Sequence, residues 1–242
     1  MDKWPFPPDT IPPLGRNVHV WAVALDDPGF ESARRRNPLS PEEQARASRF
    51  RFERDQKRYV IAHAALRAIL ARYTSEEPAN LKYVDGQSGK PKLASPWAAS
   101  GLEFNLSHSH ERALVAVNSG AEVGVDIEFV RADFKFHEIA SHFFTKREVA
   151  ALREIPKELQ RHAFYKCWTS KEAFLKARGT GLSGKLDEVE ITLAGERRIQ
   201  IHAHVAGWSL IPLDPGDEYE SALVIESRAA EIVCYRWQAP CS

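Results

Sequence analysis

One order of elements occurs twice in this chain of 242 residues. "VHVWAVALD" (18–26) alternates as a β-strand does and ends on an acid, Asp26. After a gap, Ser40 and Glu43 have the spacing of a capping box, with Pro41 at the first helical position, ahead of a long helical stretch that ends near Thr74. The second pass opens on "GVDIEFV" (124–130), which carries Asp126 and Glu128. Thr145 and Glu148 form the next capping box, and "RHAFYKCWTSKEAFLKARG" (161–179) reads as a helix closed by Gly179. Two such passes predict an α+β chain of two similar α/β halves, residues 1–119 and 120–242, with the cleft between them as the place for a ligand.

Between these landmarks the reading is coarser. The first helical stretch is long enough for two helices, with a break near Phe52 to Asp55. "LKYVDGQSGKPKLA" (81–94) predicts two short strands around a Gly-rich turn, and "LEFNLSHSHERALVAVNS" (102–119) a strand, a polar turn and an apolar strand. Strands at 187–193, 198–204 and 221–236 are expected to complete the second sheet.

Composition excludes several classes. Lys plus Arg and Asp plus Glu both total 33, so no basic excess points to nucleic acid or an anionic membrane, and any anionic ligand must be met by local charge. Cys167, Cys234 and Cys241 are too few and too scattered for a disulfide framework or a metal knuckle. "MDKWPFPPDTIPPLG" has prolines where a signal peptide needs an apolar run, so a cytoplasmic protein is expected.

The acidic strand poses the chemical question. Successive strand side chains point to opposite faces, so Val125, Ile127 and Phe129 share one face and Asp126 and Glu128 the other. Two neighbouring acids fit either a solvated face or a site where a cation neutralises them. On the 161–179 helix, Trp168, Lys171, Glu172, Leu175 and Lys176 recur at spacings of three and four. Glu172 and Lys176 make an ordinary surface pair if that face is solvated. If it packs on the acidic strand, Glu172 becomes a third hard oxygen donor suited to Mg²⁺, and the lysines face a phosphate. Two turns offer further anion contacts: the Gly89 and Lys90 turn of "DGQSGKPKL", and Asn105, Ser107 and His108 of "FNLSHS".

Other chemistries fail on spacing. "GTGLSGKL" (179–186) has G-x-x-x-x-G-K, but Leu186 stands where a P-loop needs Ser or Thr, and the glycines follow a helix instead of opening one. The histidines of "SHSH" are two apart, with no zinc-ligand spacing elsewhere, and there is no G-x-S-x-G elbow to activate a serine.

Taken in order, "SPEEQARASRF", "GKP", "FNLSHS", "GVDIE" and "WTSKEAFLKARGTGL" resemble the signatures of the 4′-phosphopantetheinyl transferases, over residues 40 to 182 and in particular those of the monomeric two-subdomain type. The resemblance implies two subdomains related by a pseudo-twofold with the active site between them. It implies transfer of the phosphopantetheine arm of coenzyme A to a serine of an acyl, peptidyl or aryl carrier protein, releasing adenosine 3′,5′-bisphosphate. Asp126, Glu128 and Glu172 would be ligands of Mg²⁺ (or Mn²⁺), Glu172 would accept the serine proton, and Lys176 would stabilise the transferred phosphate. Arg46, Gly89, Lys90, Asn105, Ser107, His108, Asp126 and Lys176 would meet coenzyme A. A basic residue often found three positions before Arg46 is here Glu43, so binding of the 3′-phosphate is expected to lean on Arg46, Lys90 and His108. Phe143 and Phe144 fall in the carrier-facing region and are readable either as apolar anchors or as core. The rival readings are a Mg²⁺-dependent nucleotide pyrophosphatase and a non-catalytic carrier-binding module.

Overall fold

The computed structural model describes residues 3–26, 38–86, 89–180, 186, 189–194, 200–203, 205–226 and 231–238. In the first half, β1 (Val18–Ala24) is followed by α1 (Pro41–Ala47) and α2 (Glu53–Thr74), a small hairpin of β2 (Tyr83–Asp85) and β3 (Pro91–Leu93), then β4 (Leu102–Ser109) and β5 (Arg112–Ser119). The second half repeats that plan. β6 (Val123–Phe129) leads into α3 (Phe136–Phe143), α4 (Lys146–Glu154) and α5 (Lys157–Arg178), a hairpin of β7 (Ile191–Ala194) and β8 (Gln200–Ala203), then β9 (Ser209–Leu213) and β10 (Tyr219–Ile225). The second sheet runs β6-β10-β9, the counterpart of β1-β5-β4 in the first.

Both capping boxes form: Ser40 Oγ accepts from Glu43 N and Glu43 Oε2 from Ser40 N, and Thr145 and Glu148 do the same. The break between the first two helices falls just before Glu53, with Phe52 in extended conformation. Gly179 takes the left-handed conformation, φ 63°, and its N–H returns to Leu175 and Lys176 carbonyls to end α5.

Two expectations for the C-terminal strands are corrected. β10 does complete the second sheet, but β11 (Ile232–Arg236) leaves it and pairs in parallel with β1, Val20 opposite Cys234, at the edge of the first sheet. The hairpin of β7 and β8 stands as its own two-stranded sheet, while β9 takes the place beside β10. The carboxyl end of the 120–242 segment is thus built into the sheet of the 1–119 segment.

The layers follow from the two-residue period. Trp21, Val23, Val115 and Phe104 of the first sheet pack on Leu66, Ile69 and Leu70 of α2. The opposite face, Val18, Val20, Leu114 and Ala116, meets Val123, Val125, Ile127, Leu223 and Ile225 of the second sheet. The far face of that second sheet is covered by α5 through Ala173, Phe174 and Ala177. The order is helix, sheet, sheet, helix, and each buried Leu, Ile, Val or Phe contributes roughly 1.5–3 kcal/mol. Asp126 and Glu128 therefore point at α5 and not at open solvent, and Asp126 is only 3% exposed. None of the described helices is long and apolar enough to cross a membrane.

Candidate active site between strand β6 and helix α5

Gly124 sets how closely the helix approaches the acidic strand. A Cβ at this position would overlap Ala173 O and Ala177 N and stand 2.9 Å from Ala177 Cα, so glycine on the strand and alanines on the helix let the two backbones touch. Two residues along the strand, that contact delivers Asp126 to the helix face carrying Glu172 and Lys176. Lys176 Nζ lies 2.6 Å from Asp126 Oδ1 and 2.9 Å from Ser107 Oγ. Ser107 Oγ in turn donates to Asp126 Oδ1 at 2.8 Å. Asp126 Oδ2 is buried with no hydrogen-bond partner.

The electrostatics follow from this crowding. Glu128 receives a hydrogen bond from Ser109 Oγ at 2.7 Å, yet burial, and then the charge of Asp126, push its carboxyl up to about 7. Glu172 is raised for the same two reasons, burial first and Asp126 second, with Lys176 opposing them. Among the described residues, no three His, Cys, Asp or Glu side chains stand in ready geometry for a metal ion. The ammonium of Lys176 is the cation held against Asp126. The donor set nonetheless fits a divalent ion: three carboxyls gathered around one Lys176 ammonium, with Glu128 and Glu172 raised and Asp126 keeping an orphaned buried oxygen, are hard donors short of positive charge.

Next to the acids is a positive basin. His108 is open to solvent at one edge, yet desolvation, followed by the positive charges of His63, Lys176, Arg46 and Arg58, holds its imidazole below the usual histidine value. Arg46 is exposed in the last turn of α1 and lies 5.8 Å from the Tyr59 ring centroid. Tyr59 packs against His63 in a tilted arrangement, the ring centroids 4.1 Å apart. Glu43, the acid where a base was the family expectation, is paired with Arg67 at 2.7 Å and lies 3.3 Å from His63 Nδ1. His63 is a member of the basin that sequence reasoning missed, because only tertiary packing brings α2 alongside His108.

Other anticipated contacts are engaged elsewhere. Lys90, 8% exposed, donates to Glu122 Oε2 at 2.6 Å, Val123 O at 3.0 Å and Ala177 O at 3.2 Å, which uses all three ammonium protons and ties the first hairpin to β6 and α5. Gly89 supplies a left-handed turn residue, φ 81°, and its N–H closes the turn onto Gly86 O. Asn105 Oδ1 accepts from Val125 N at 2.9 Å. The reading of Lys171 as a phosphate-facing lysine is corrected: it is fully buried, paired with Glu148 at 2.8 Å and bonded to the carbonyls of Leu186 and Val189. Phe143 and Phe144 divide. Phe143 is 45% exposed, edge-on to Trp168, whereas Phe144 is buried on Phe164. The glycine-rich stretch after Gly179 lies largely outside the described residues, as does Cys241.

A cavity of about 510 Å³ adjoins the acids, lined by Glu128, Phe129, Phe134, Ile139, Tyr165 and Trp168. It pairs one ionisable wall with an aromatic one. The site thus combines a cluster of carboxyls, a lysine in contact with one of them, a group of basic side chains around His108, and a chamber beside Glu128 whose wall is part aromatic and part polar, with His110, Arg131 and Asp133 also lining it.

Sequence comparison places this geometry. The profile described as "4'-phosphopantetheinyl transferase superfamily" matches residues 122–224, and that described as "4'-phosphopantetheinyl transferase, N-terminal" matches residues 30–120. The 4'-phosphopantetheinyl transferase HetI of Nostoc sp. is 38% identical over 222 residues, covering 92% of this chain and 93% of that protein. The 4'-phosphopantetheinyl transferase Sfp of Bacillus subtilis is 28% identical over 186 residues, covering 76% of this chain and 80% of that protein. The human L-aminoadipate-semialdehyde dehydrogenase-phosphopantetheinyl transferase is 30% identical over 166 residues, 64% of this chain and 53% of that protein. Matched along nearly its whole length, the chain belongs to the 4′-phosphopantetheinyl transferase superfamily and is an enzyme of that class.

Proposed function

We propose that the chain transfers the phosphopantetheine arm of coenzyme A to a serine hydroxyl of an acyl, peptidyl or aryl carrier protein, with adenosine 3′,5′-bisphosphate as the leaving group. The observation that carries this reading is the trio of Asp126, Glu128 and Glu172, one buried and two partly buried carboxyls with the single ammonium of Lys176 standing against one of them. Asp126, Glu128 and Glu172 would hold Mg²⁺ or Mn²⁺, which when bound supplies Lewis-acid polarisation of the pyrophosphate.

The chain's own groups divide the remaining work. In the reaction a bond forms between the serine oxygen and the β-phosphorus, and the bond from that phosphorus to the bridging oxygen breaks. Glu172, with a raised carboxyl pKa, is suited to take the serine proton at neutral pH. Lys176 offers N–H donors to the phosphoryl oxygens and a proton to the departing phosphate. Arg46, His63 and His108 receive the 3′-phosphate, an anion that favours the protonated form of His108. The chamber beside Glu128 takes the pantetheine chain, and exposed Phe143 at its approach meets the carrier. Both sides of the cleft come from one chain, so a single copy suffices to form the site.

Incubation of the purified chain with coenzyme A and an apo carrier protein, read by intact-mass spectrometry, tests the proposal. Transfer adds the phosphopantetheine mass to the carrier and EDTA abolishes it. Hydrolysis of coenzyme A with the carrier unmodified would instead identify a pyrophosphatase.

A further inference from the structure

The joint between the two sheets is made by side chains instead of a backbone ladder. Along β6, the N–H groups of Val125, Ile127 and Phe129 donate to Asn105 Oδ1 at 2.9 Å, Ser107 Oγ at 3.4 Å and Ser109 Oγ at 3.1 Å, all from β4. Both strands repeat every two residues, so one register serves all three contacts. A hydroxyl has one proton to give, and a serine that accepts from an amide must send that proton elsewhere. Ser107 sends it to Asp126 Oδ1 at 2.8 Å, and Ser109 sends it to Glu128 Oε2 at 2.7 Å. Each serine therefore grips the amide that follows an acid and the carboxylate of that same acid. The S-x-S of "FNLSHS" is the mate of the D-x-E of "GVDIE".

We propose that Ser109 is a positioning residue for Glu128, forming with Ser107 a clasp that binds one oxygen of each acid and leaves Asp126 Oδ2 and Glu128 Oε1 for a divalent cation. The inference rests on the cation-binding reading of the site given above. It adds that the interface between the halves and the geometry of the acids are one hydrogen-bonded unit. Ser109 touches no reacting atom; it acts through Glu128.

The test is calorimetric titration of the full chain with Mn²⁺ alone, alongside the metal dependence of transfer. Ser109→Ala frees Glu128 Oε2 and orphans the Phe129 amide, and lost outer-shell support of this kind weakens metal affinity by about 10- to 100-fold. The Mn²⁺ dissociation constant and the apparent KM for metal should rise together by that factor, with kcat at saturating metal changed much less. Ser109→Thr, which keeps the hydroxyl, should restore wild-type affinity. A Ser109→Ala protein with a lowered melting temperature but wild-type Mn²⁺ affinity overturns the proposal, since that is the outcome of a merely structural seam. If Ser109→Ala does not fold, the near-isosteric Ser109→Cys, a weak donor, decides by the same titration: weakened binding supports the clasp and wild-type binding refutes it. Mn²⁺ binding that depends on Ser109 in a chain without transfer activity upholds the clasp while sinking the transferase mechanism; absence of Mn²⁺ binding in the wild type sinks both.

Discussion

Replacing Gly124 with Ala probes the contact on which the site depends. The added Cβ would stand 2.9 Å from Ala177 Cα and closer still to Ala173 O and Ala177 N, all backbone atoms of α5 with no rotamer to turn away. Carbon atoms rest about 3.5–4.0 Å apart, so helix and strand must separate by roughly 1 Å. The Lys176 to Asp126 contact, now 2.6 Å, stretches with them, and Glu172 is carried away on the same helix. Overpacking of this kind costs about 1–3 kcal/mol of stability, and a 1 Å misplacement of catalytic groups costs on the order of 10²-fold in rate. Thermal melting and carrier-loading rates measured on one preparation test both figures. The reasoning is refuted if Gly124→Ala melts as the wild type does and loads a carrier at the wild-type rate, because the backbones would then not be in contact.

Three further outcomes follow from named groups. Glu172→Gln should keep the fold, since it removes a partly buried acid without changing shape, and should slow transfer by about 10³-fold; retention of most of the rate would assign the proton to another group. Arg67, buried against Glu43 and bonded to the carbonyls of Pro78 and Leu81, holds α1 on α2, so Arg67→Met should destabilise by about 3–5 kcal/mol in denaturant melts, and a loss well under 1 kcal/mol would contradict this. The carboxyl of Glu128 sits at about 7 in the fold against an ordinary value of 4.5, so between these pH values the folded chain keeps a proton that the unfolded chain has lost. The stability that this proton confers is complete below the lower value and is lost as pH rises through the upper one. In EDTA, stability should fall over that window in the wild type and less steeply in Glu128→Gln; identical slopes would remove Glu128 as the cause.

What the sequence reveals is what local chemistry and periodicity decide. Both capping boxes were legible because a side chain and an amide three residues apart are enough to form them. The shared face of Asp126 and Glu128 was legible from the two-residue period, but what that face meets depends on α5, some forty residues on. The two lysines of α5 show the limit. Five positions apart, they lie about 140° around the helix from each other. Lys176 reaches Asp126 while Lys171 is sealed against Glu148, and residue type alone could not say which faces the acids. The engagement of Lys90 was illegible for a similar reason, as its partners Glu122 and Ala177 come from other parts of the chain. The return of β11 to the first sheet leaves no local trace, since a parallel pairing across more than two hundred residues is set by an unpaired edge at β1.

Anomalous diffraction from a crystal grown with coenzyme A and Mn²⁺ bears most directly on the site as a whole. The account predicts one strong peak in contact with Asp126 Oδ2 and shared by Glu128, Glu172 and the pyrophosphate. A peak held elsewhere, or Glu172 turned away from Asp126 with the cofactor in place, would contradict it.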